Sequence, residues 1–442
     1  MTVTDILLVT VDALRADRVG FLGYERDTTP AVDTLFERVD ATVYDAAHAH
    51  GPTTFSSFPS IHTGQHAYES TDYPALDGKT LAERFADAGY HTASVTANAW
   101  VSPTYDYDSG VDDVHALGRG PRSATGRWER LRHRIGDALG DGLAYRAVKS
   151  AYDVVRDAGG SPSTEARIHR IVTDHRARPD PTFTWAHYMT THAPYVPDPD
   201  RAPVSDTELQ QEHQRELVDR AREDPDAVSK DDRRLLSDLY DEAVSHVDRR
   251  IATLLEAVDL DETLVCLTGD HGEAFFEHGY FEHPPWLHQE LLHVPLVLLG
   301  AGVEETRVEA PVGLESLYET LPALAGLNVD PTLPPWDDPP AAVCSAVAHA
   351  DRYTPETIRA DALRLAVRSG DWKLHLPPDD SPDLYDIAND RGERDDVAGE
   401  HPAVVDRLRD RAEQFSEGFV FDGTAEVPQE LRDRLADLGY ME

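Results

Sequence analysis

Five short apolar or β-branched runs, Ile6 to Val11, His91 to Thr96, Thr182 to Tyr188, Thr263 to Leu267 and Val294 to Leu299, recur along the chain without strict alternation. Runs of this kind suit strands buried on both faces, as in a parallel sheet covered by helices. Between them lie amphipathic segments, Thr80 to Ala88, Asp231 to Val258 and Leu314 to Ala325. The alternation predicts a doubly wound α/β fold with a mostly parallel sheet and helices on both faces. A Pro-rich link, Pro331 to Pro340, divides a main domain, 1–330, from a smaller C-terminal part, 331–442. In the latter, Leu363 to Leu376 reads as paired strands turning at Ser369-Gly370-Asp371, followed by a helix from Pro402 to Phe415.

In open α/β sheets ligands collect beyond the carboxyl ends of the strands. Asp12 follows the first run, His192 the third, and Asp270-His271 the fourth, within Thr268-Gly269-Asp270-His271-Gly272-Glu273. An acid beside an imidazole at a strand end can present two metal ligands, and Gly269 and Gly272 allow a close backbone approach to an ion. A hydroxyl-rich stretch, Gly51 to Gly64, leads into a short helix, with Thr54 where the helix starts. A hydroxyl there sits in the field of free backbone N–H groups, which favours an alkoxide or a bound anion.

These residues resemble the sulfatase branch of the alkaline phosphatase superfamily. Val9 to Asp17 is similar to its opening strand and first metal ligand, and Gly51 to Gly64 to its nucleophile segment. His187 to Tyr195 matches a His-x-Pro-Tyr motif, and Thr268 to Gly279 the metal-binding strand end with its Glu-His-Gly. Leu287 to Leu296, Gly370 to Lys373 and Leu384 to Asp386 follow as later landmarks in the right order.

One departure changes the expected chemistry. Sulfatases proper oxidise a Cys or Ser within C/S-x-P-x-R to formylglycine, whereas Thr54 stands at the nucleophile position, with Ser56 in place of the Pro and Phe58 in place of the Arg. A threonine cannot become formylglycine, so the nucleophile is an ordinary hydroxyl, as in phosphodiesterases, phosphonate hydrolases and phospho-alcohol transferases of this superfamily. The resemblance implies a hydrolase of phosphate (di)esters, phosphonates or sulfate esters working through a covalent Thr54 intermediate. A phospho-alcohol transferase and a non-catalytic anion-binding member are the alternatives.

By the same resemblance Asp12, Asp270 and His271 hold one divalent cation. Oxygen-rich ligation suits Mn²⁺, Mg²⁺ or Ca²⁺ at least as well as Zn²⁺. His192 is the first candidate for protonating the leaving group and His283 the next; His278 and Asn98 are candidates for substrate binding. Each has a plainer reading. Asp12 could cap a turn, Thr53, Thr54, Ser56 and Ser57 could all cap the helix, and Asn98 could close a turn. His187 reads as a core histidine, Arg15 as an ion-pair partner of Asp17, and His288 and His293 as packing at a helix-to-strand junction.

Composition sets the surroundings. The net charge is -41, from 82 acidic against 41 basic residues, with Lys only at positions 79, 149, 230 and 373. Such a surface repels itself unless salt screens it, which suggests a high-salt cytoplasm and argues against nucleic acid as a partner. The start, MTVTDILLVTVD, reads as a first strand and not as a signal peptide. No window approaches the roughly 18 apolar residues of a transmembrane helix. The resemblance implies, as the partner, an anionic small-molecule, glycan or lipid-headgroup ester. An Arg-rich stretch, 117–156, reads as an amphipathic insertion that either pairs with acids of the main domain or contacts an anionic substrate. Cys266 and Cys344 read as buried, reduced thiols; the oligomeric state is not legible.

Overall fold

The structure, a computed structural model, describes residues 5–70, 73–98, 100–117, 163–195, 204–327, 342–349, 358–379 and 381–421. Most of the Arg-rich stretch and the whole of the Pro-rich link lie outside the described residues.

The strands in chain order are β1 (Asp5–Val11), β2 (Ala41–His48), β3 (His91–Thr96), β4 (Asp113–Ala116), β5 (Thr182–Tyr188), β6 (Thr263–Gly269), β7 (Ala274–Phe275), β8 (Phe281–Glu282), β9 (His293–Gly300), β10 (Thr306–Val308), β11 (Val312–Gly313), β12 (Val343–Val347), β13 (Arg364–Ser369), β14 (Trp372–Leu376) and β15 (Asp383–Asp386). The described α-helices are α1 (Pro30–Phe36), α2 (Thr54–Thr63), α3 (Leu81–Asp87), α4 (Thr164–Arg176), α5 (Val204–Glu223), α6 (Lys230–Glu256), α7 (Gln289–Leu292), α8 (Leu317–Leu324) and α9 (Pro402–Ser416).

The main sheet runs β10-β2-β9-β6-β1-β5-β3-β4, with β11 also paired to β2. β1 lies at its centre, parallel to both β5 and β6. Side chains alternate between two cores, as the pleat requires. Ile6 and Leu8 join Phe55, Phe58 and Ile61 of α2 on one face. Leu7 and Val9 join Val244, Val247 and Ile251 of α6 on the other. Full burial of such a side chain stabilises by about 1.5–3 kcal/mol, and both faces collect that gain. This is why the runs carry no polar alternation.

One strand runs against the rest. β9 is antiparallel to β6 and to β2, so the sheet is mixed although mostly parallel. Two-sided burial is the same in either direction, and the apolar run Val294 to Leu299 carries no sign of polarity. β2 escapes a sequence reading for a different reason: Asp45 and a register shift between Tyr44 and Ala47 break its pattern.

The smaller sheet, β12-β13-β14-β15, is antiparallel throughout. Leu365, Val367, Leu374 and Leu376 belong to one apolar cluster with Val405, Leu408 and Ala412 of α9. Its edge strand β12 meets the segment leading to α2: Ala346 N donates to His50 O at 2.9 Å, and His50 Nδ1–H donates to Cys344 O at 2.7 Å. Both cysteines are buried free thiols. No described helix is long and apolar enough to cross a membrane.

Candidate active site

Three strand ends and one helix start converge. Asp12 leaves β1 with its N–H bonded to Tyr188 O of the neighbouring strand at 2.8 Å. The next residue, Ala13, takes a left-handed backbone (φ 56°), unusual for a residue with a Cβ. That turn aims the Ala13 N–H at Asp270 Oδ1, 3.1 Å away, while Tyr240 Oη donates to Ala13 O at 2.7 Å. Asp270 Oδ1 also accepts the His271 N–H at 2.9 Å, and the Ser57 hydroxyl donates to Asp270 O at 2.6 Å.

The glycines of this loop are required by backbone packing as well. A Cβ on Gly269 would lie 2.6 Å from Leu14 O, and one on Gly272 only 2.0 Å from Glu290 O. Backbone-to-backbone packing at these two positions holds the loop against its neighbours.

Thr54 is the first residue of α2, directly after the N-cap Thr53, and every residue of this helix is buried. Its hydroxyl donates to Asp12 Oδ2 at 3.3 Å. Asn98, just beyond β3, donates from Nδ2 to the same oxygen at 3.0 Å and lies 3.4 Å from Thr54 Oγ1. Its Oδ1 accepts the Trp100 N–H at 2.9 Å, so Asn98 closes a turn and reaches the site at once.

The ligand-type atoms can be sorted by their partners. His271 Nδ1–H donates to Gly272 O at 2.8 Å, which leaves Nε2 with the lone pair. That Nε2 stands 3.8 Å from Asp12 Oδ1 and 3.7 Å from Asp270 Oδ2. All three atoms are buried and without a hydrogen-bond partner. Two carboxylate oxygens and an imidazole lone pair, each an acceptor, thus face one point with no donor among them. Unpaired buried acceptors are costly, and a cation satisfies all three.

Among the described residues two further groups have ligand atoms at metal-binding spacing, His278/His288/Glu290 and His91/Asp113/His175. Their histidines already bond to neighbours. His278 Nδ1 meets Glu290 Oε1 at 2.7 Å, His288 Nδ1 meets the Tyr280 hydroxyl, and His175 Nε2 meets His91 Nδ1 at 3.2 Å. The Asp12/Asp270/His271 group alone among the three presents orphaned ligand atoms.

Electrostatics agree. Burial opposes a charge on His271, yet the neighbouring Asp270 and Asp12 raise its pKa above the usual value. Burial pushes the Asp270 carboxyl up; His271 opposes this and Asp12 adds to it. Burial also works against ionised Asp12, but His187, His192 and His271 hold its carboxyl below the ordinary range. Two buried carboxyls thus stand against one imidazole, the donor set that a cation site uses.

His192 and His283 stand at the rim, their ring centroids 5.5 Å apart, with His283 4.7 Å from His271. His192 Nδ1–H donates to Ala193 O at 2.6 Å. Burial and the nearby His271 depress the pKa of His283 to about 4. His278 belongs elsewhere: it stacks on His288 at 3.7 Å, and its Nε2 meets Glu393 O at 3.3 Å. Arg15 is neutralised by Asp17 at 2.7 Å and Glu277 at 2.6 Å.

Two residues gain a place that their sequence context did not suggest. His187 pairs in register with Thr10 of β1. Trp185 Nε1–H donates to Thr10 Oγ1, whose hydroxyl proton is thereby free to go to His187 Nδ1; His187 Nε2 then faces Asp12 Oδ2 at 3.4 Å. Glu273 is fully buried and bonds to His283 Nδ1 at 2.9 Å and to the Tyr195 hydroxyl at 3.4 Å. Burial, then Glu282, pushes its carboxyl well above the usual range. The signal for His187 was its position one residue from the end of a strand beside β1; the signal for Glu273 was its place at the end of the Asp-His-Gly-Glu run.

The family model and the relatives place this α/β chain among hydrolases of sulfuric or phosphoric esters, in the alkaline phosphatase-like superfamily. Within that class the chain belongs to the sulfatase family, whose model matches residues 4–327. It is 24% identical over 437 residues to the uncharacterized sulfatase YidJ of Escherichia coli strain K12, an alignment covering 88% of this chain and 82% of that protein. Similarity to arylsulfatase K of Mus musculus is more local: 28% identity over 164 residues, 33% of this chain and 29% of that protein.

Among solved structures, the phosphonate monoester hydrolase of Agrobacterium radiobacter shares the fold with a TM-score of 0.65 at 18% identity, over 93% of this chain and 95% of that one. A structure bound to its substrate D-glucosamine-2-N,6-O-disulfate does so with a TM-score of 0.67 at 15% identity, over 94% and 98%. Enzymes of the family are metal dependent.

Proposed function

We propose that this protein is a metal-dependent hydrolase that cleaves phosphate (di)ester, phosphonate or sulfate ester bonds through a covalent ester on Thr54. The observation that carries the reading is the Thr54 hydroxyl, bonded to Asp12 at the edge of the orphaned ligand set and at the start of a buried helix. Asp12, Asp270 and His271 would hold a single divalent ion. When bound, it supplies positive charge that favours the Thr54 alkoxide and offsets charge on the substrate's non-bridging oxygens.

The chain's own groups do the rest. Asp12 Oδ2 accepts the Thr54 hydrogen bond and fixes the hydroxyl's direction. The start of α2 favours negative charge at Oγ1. In the first step Thr54 Oγ1 passes its proton along its hydrogen bond to Asp12 Oδ2, the bond from Oγ1 to phosphorus or sulfur forms as the bond to the alcohol oxygen breaks, and protonated His192 gives the departing oxygen its proton. His283, oriented by Glu273, stands next to it as a second proton carrier. Asn98 Nδ2 donates to a non-bridging oxygen as charge builds there. Water then attacks in place of the alcohol, His192 takes its proton, and Thr54 Oγ1 leaves and recovers its own proton from Asp12 Oδ2.

Phosphorus gains on sulfur because Thr54 cannot be oxidised to formylglycine; a sulfated sugar remains within the substrate range because a structural neighbour carries one. A panel of 4-nitrophenyl phosphate mono- and diesters, phosphonate and sulfate, run in molar KCl with Mn²⁺, tests the reading. Turnover of at least one ester is expected, with loss in the Thr54→Ala variant; undiminished turnover in that variant contradicts it.

A further inference from the structure

The small sheet turns a cationic face toward the loop that carries His283. In β13 and β14, Ala366 pairs with His375 and Arg368 with Lys373. Strand alternation therefore puts Arg364, Arg368, Lys373 and His375 on one face, opposite the leucines that pack on α9. His375 lies 4.9 Å from His288, centroid to centroid, which fixes the direction of that face. Lys373 and His375 share Glu393, each 2.8 Å from its Oε1.

Arg364 differs from Lys373 and His375, which share Glu393, and from Arg368 in what it stacks on. Its guanidinium stacks over the ring of Trp286 at 4.6 Å, and its NH1 reaches only Ala362 O, at 3.3 Å. Its Nε is buried without a hydrogen-bond partner. No carboxylate among the described residues pairs with it, and burial alone lowers its pKa. Arg233 and Arg368 also bond only backbone carbonyls among the described residues; what sets Arg364 apart is its place against an exposed indole. Arg15 and Arg222 near the site are neutralised, the first by Asp17 and Glu277 and the second by Glu282.

Trp286 is one of the described large apolar side chains left exposed, at 39%. Tyr280 and His288 lie near-parallel to it, at 6.2 and 6.0 Å, and hold its plane. It follows His283 by three residues, so it stands within about 10 Å of the rim of the site. A fixed, half-open indole beside a half-buried guanidinium offers a flat apolar surface and a forked donor for an oxyanion.

We propose that Trp286 and Arg364 form a subsite for the alcohol part of the ester, and that the preferred substrate carries there a second anionic group on a sugar ring. The proposal rests on the ester-hydrolase reading for the identity of the scissile bond. The shared chemistry is a ring with a second sulfate, phosphate or carboxylate, and the two charges belong to one substrate: one at Thr54, the other at Arg364.

Binding separates this subsite from catalysis. Full-length Thr54→Ala protein, loaded with Mn²⁺ in molar KCl, is titrated calorimetrically with glucosamine 6-sulfate and glucosamine 2-N,6-O-disulfate, and with glucose 6-phosphate and glucose 1,6-bisphosphate. In at least one pair the doubly charged sugar is expected to bind about tenfold more tightly, the scale of a hydrogen bond to a charged group. The added substitution Arg364→Met is expected to bring that ratio to about one, Arg364→Lys to restore part of it, and Trp286→Ala to weaken both members of the pair. Melting temperatures identify any variant that fails to fold, and Arg364→Lys then carries the test. Ratios near one in both pairs, or a ratio that survives Arg364→Met, overturn the subsite. Failure of the wild type on every 4-nitrophenyl ester instead overturns the hydrolase reading, and the binding ratio still reports on the subsite.

Discussion

Asn98 Nδ2 donates to Asp12 Oδ2 at 3.0 Å and so ties the end of β3 to the end of β1, directly over the Thr54 hydroxyl. The amide keeps a donor where negative charge would develop. Asn98→Ala is expected to lower kcat/KM about 100-fold on the best 4-nitrophenyl ester, as removal of a preorganised donor does. Asn98→Asp keeps the acceptor for the Trp100 N–H but sets a carboxylate against Asp12, and a larger loss is expected. Steady-state kinetics on both variants, with melting temperatures as a control for folding, checks this.

Removal of the ion should be felt in stability as well as in turnover. Asp12 Oδ1, Asp270 Oδ2 and His271 Nε2 face one another without donors, so the metal-free protein retains an unbalanced buried charge. Chelation is expected to abolish turnover and lower the melting temperature, with Mn²⁺ restoring both. Asp270→Asn should lose the stabilisation by metal, and elemental analysis of saturated wild type should give one ion per chain. Two ions, or a melting temperature insensitive to chelation, contradict this.

Acid should destabilise the fold through histidines buried as neutral rings. His62 lies 4.2 Å from the Trp185 ring centre, its Nε2 has no partner, and burial with the neighbouring His187 depresses its pKa from 6.5 to about 3. The unfolded chain therefore takes up the proton first. Stability from this group is full above 6.5 and is lost as pH falls toward 3. Between pH 7 and pH 5 the loss amounts to about 2 kcal/mol per such histidine. His62→Phe should flatten that slope; urea unfolding of both proteins at the two pH values measures it.

Low salt should do the same through the surface. A net charge of -41 is screened over about 3 Å in molar salt and over about 10 Å at 0.1 M. Dialysis from molar KCl into dilute buffer is expected to unfold the protein, seen as loss of near-ultraviolet circular dichroism. Unchanged spectra and melting temperature would set the high-salt reading aside.

Much of the site was legible because its residues sit where strands end. Asp12, Asp270 and His271 follow runs whose two-sided burial shows in the sequence, and the first turn of α2 announces itself by hydroxyls and by Gly64, which takes the left-handed conformation at its end (φ 72°). What stayed hidden depends on pairing between distant strands. His187 meets Asp12 only because β5 lies beside β1 in one register, and nothing local to His187 reports that. The strand β9 hides its direction because burial does not depend on it. His278 was associated with the site by its Glu-His-Gly context, while its contacts run to Glu290, His288 and Glu393. Arg364 shows its meaning only in its stacking over Trp286, which no local pattern reports.

The central claim is a covalent ester on Thr54, and rapid acid quench of the enzyme during turnover of its best ester tests it most directly. Peptide mapping by mass spectrometry should find a phosphoryl, phosphonyl or sulfuryl group on Thr54 in the wild type and none in Thr54→Ala, which should also be inactive. A label on another residue, or full turnover with Thr54 replaced, would contradict the account.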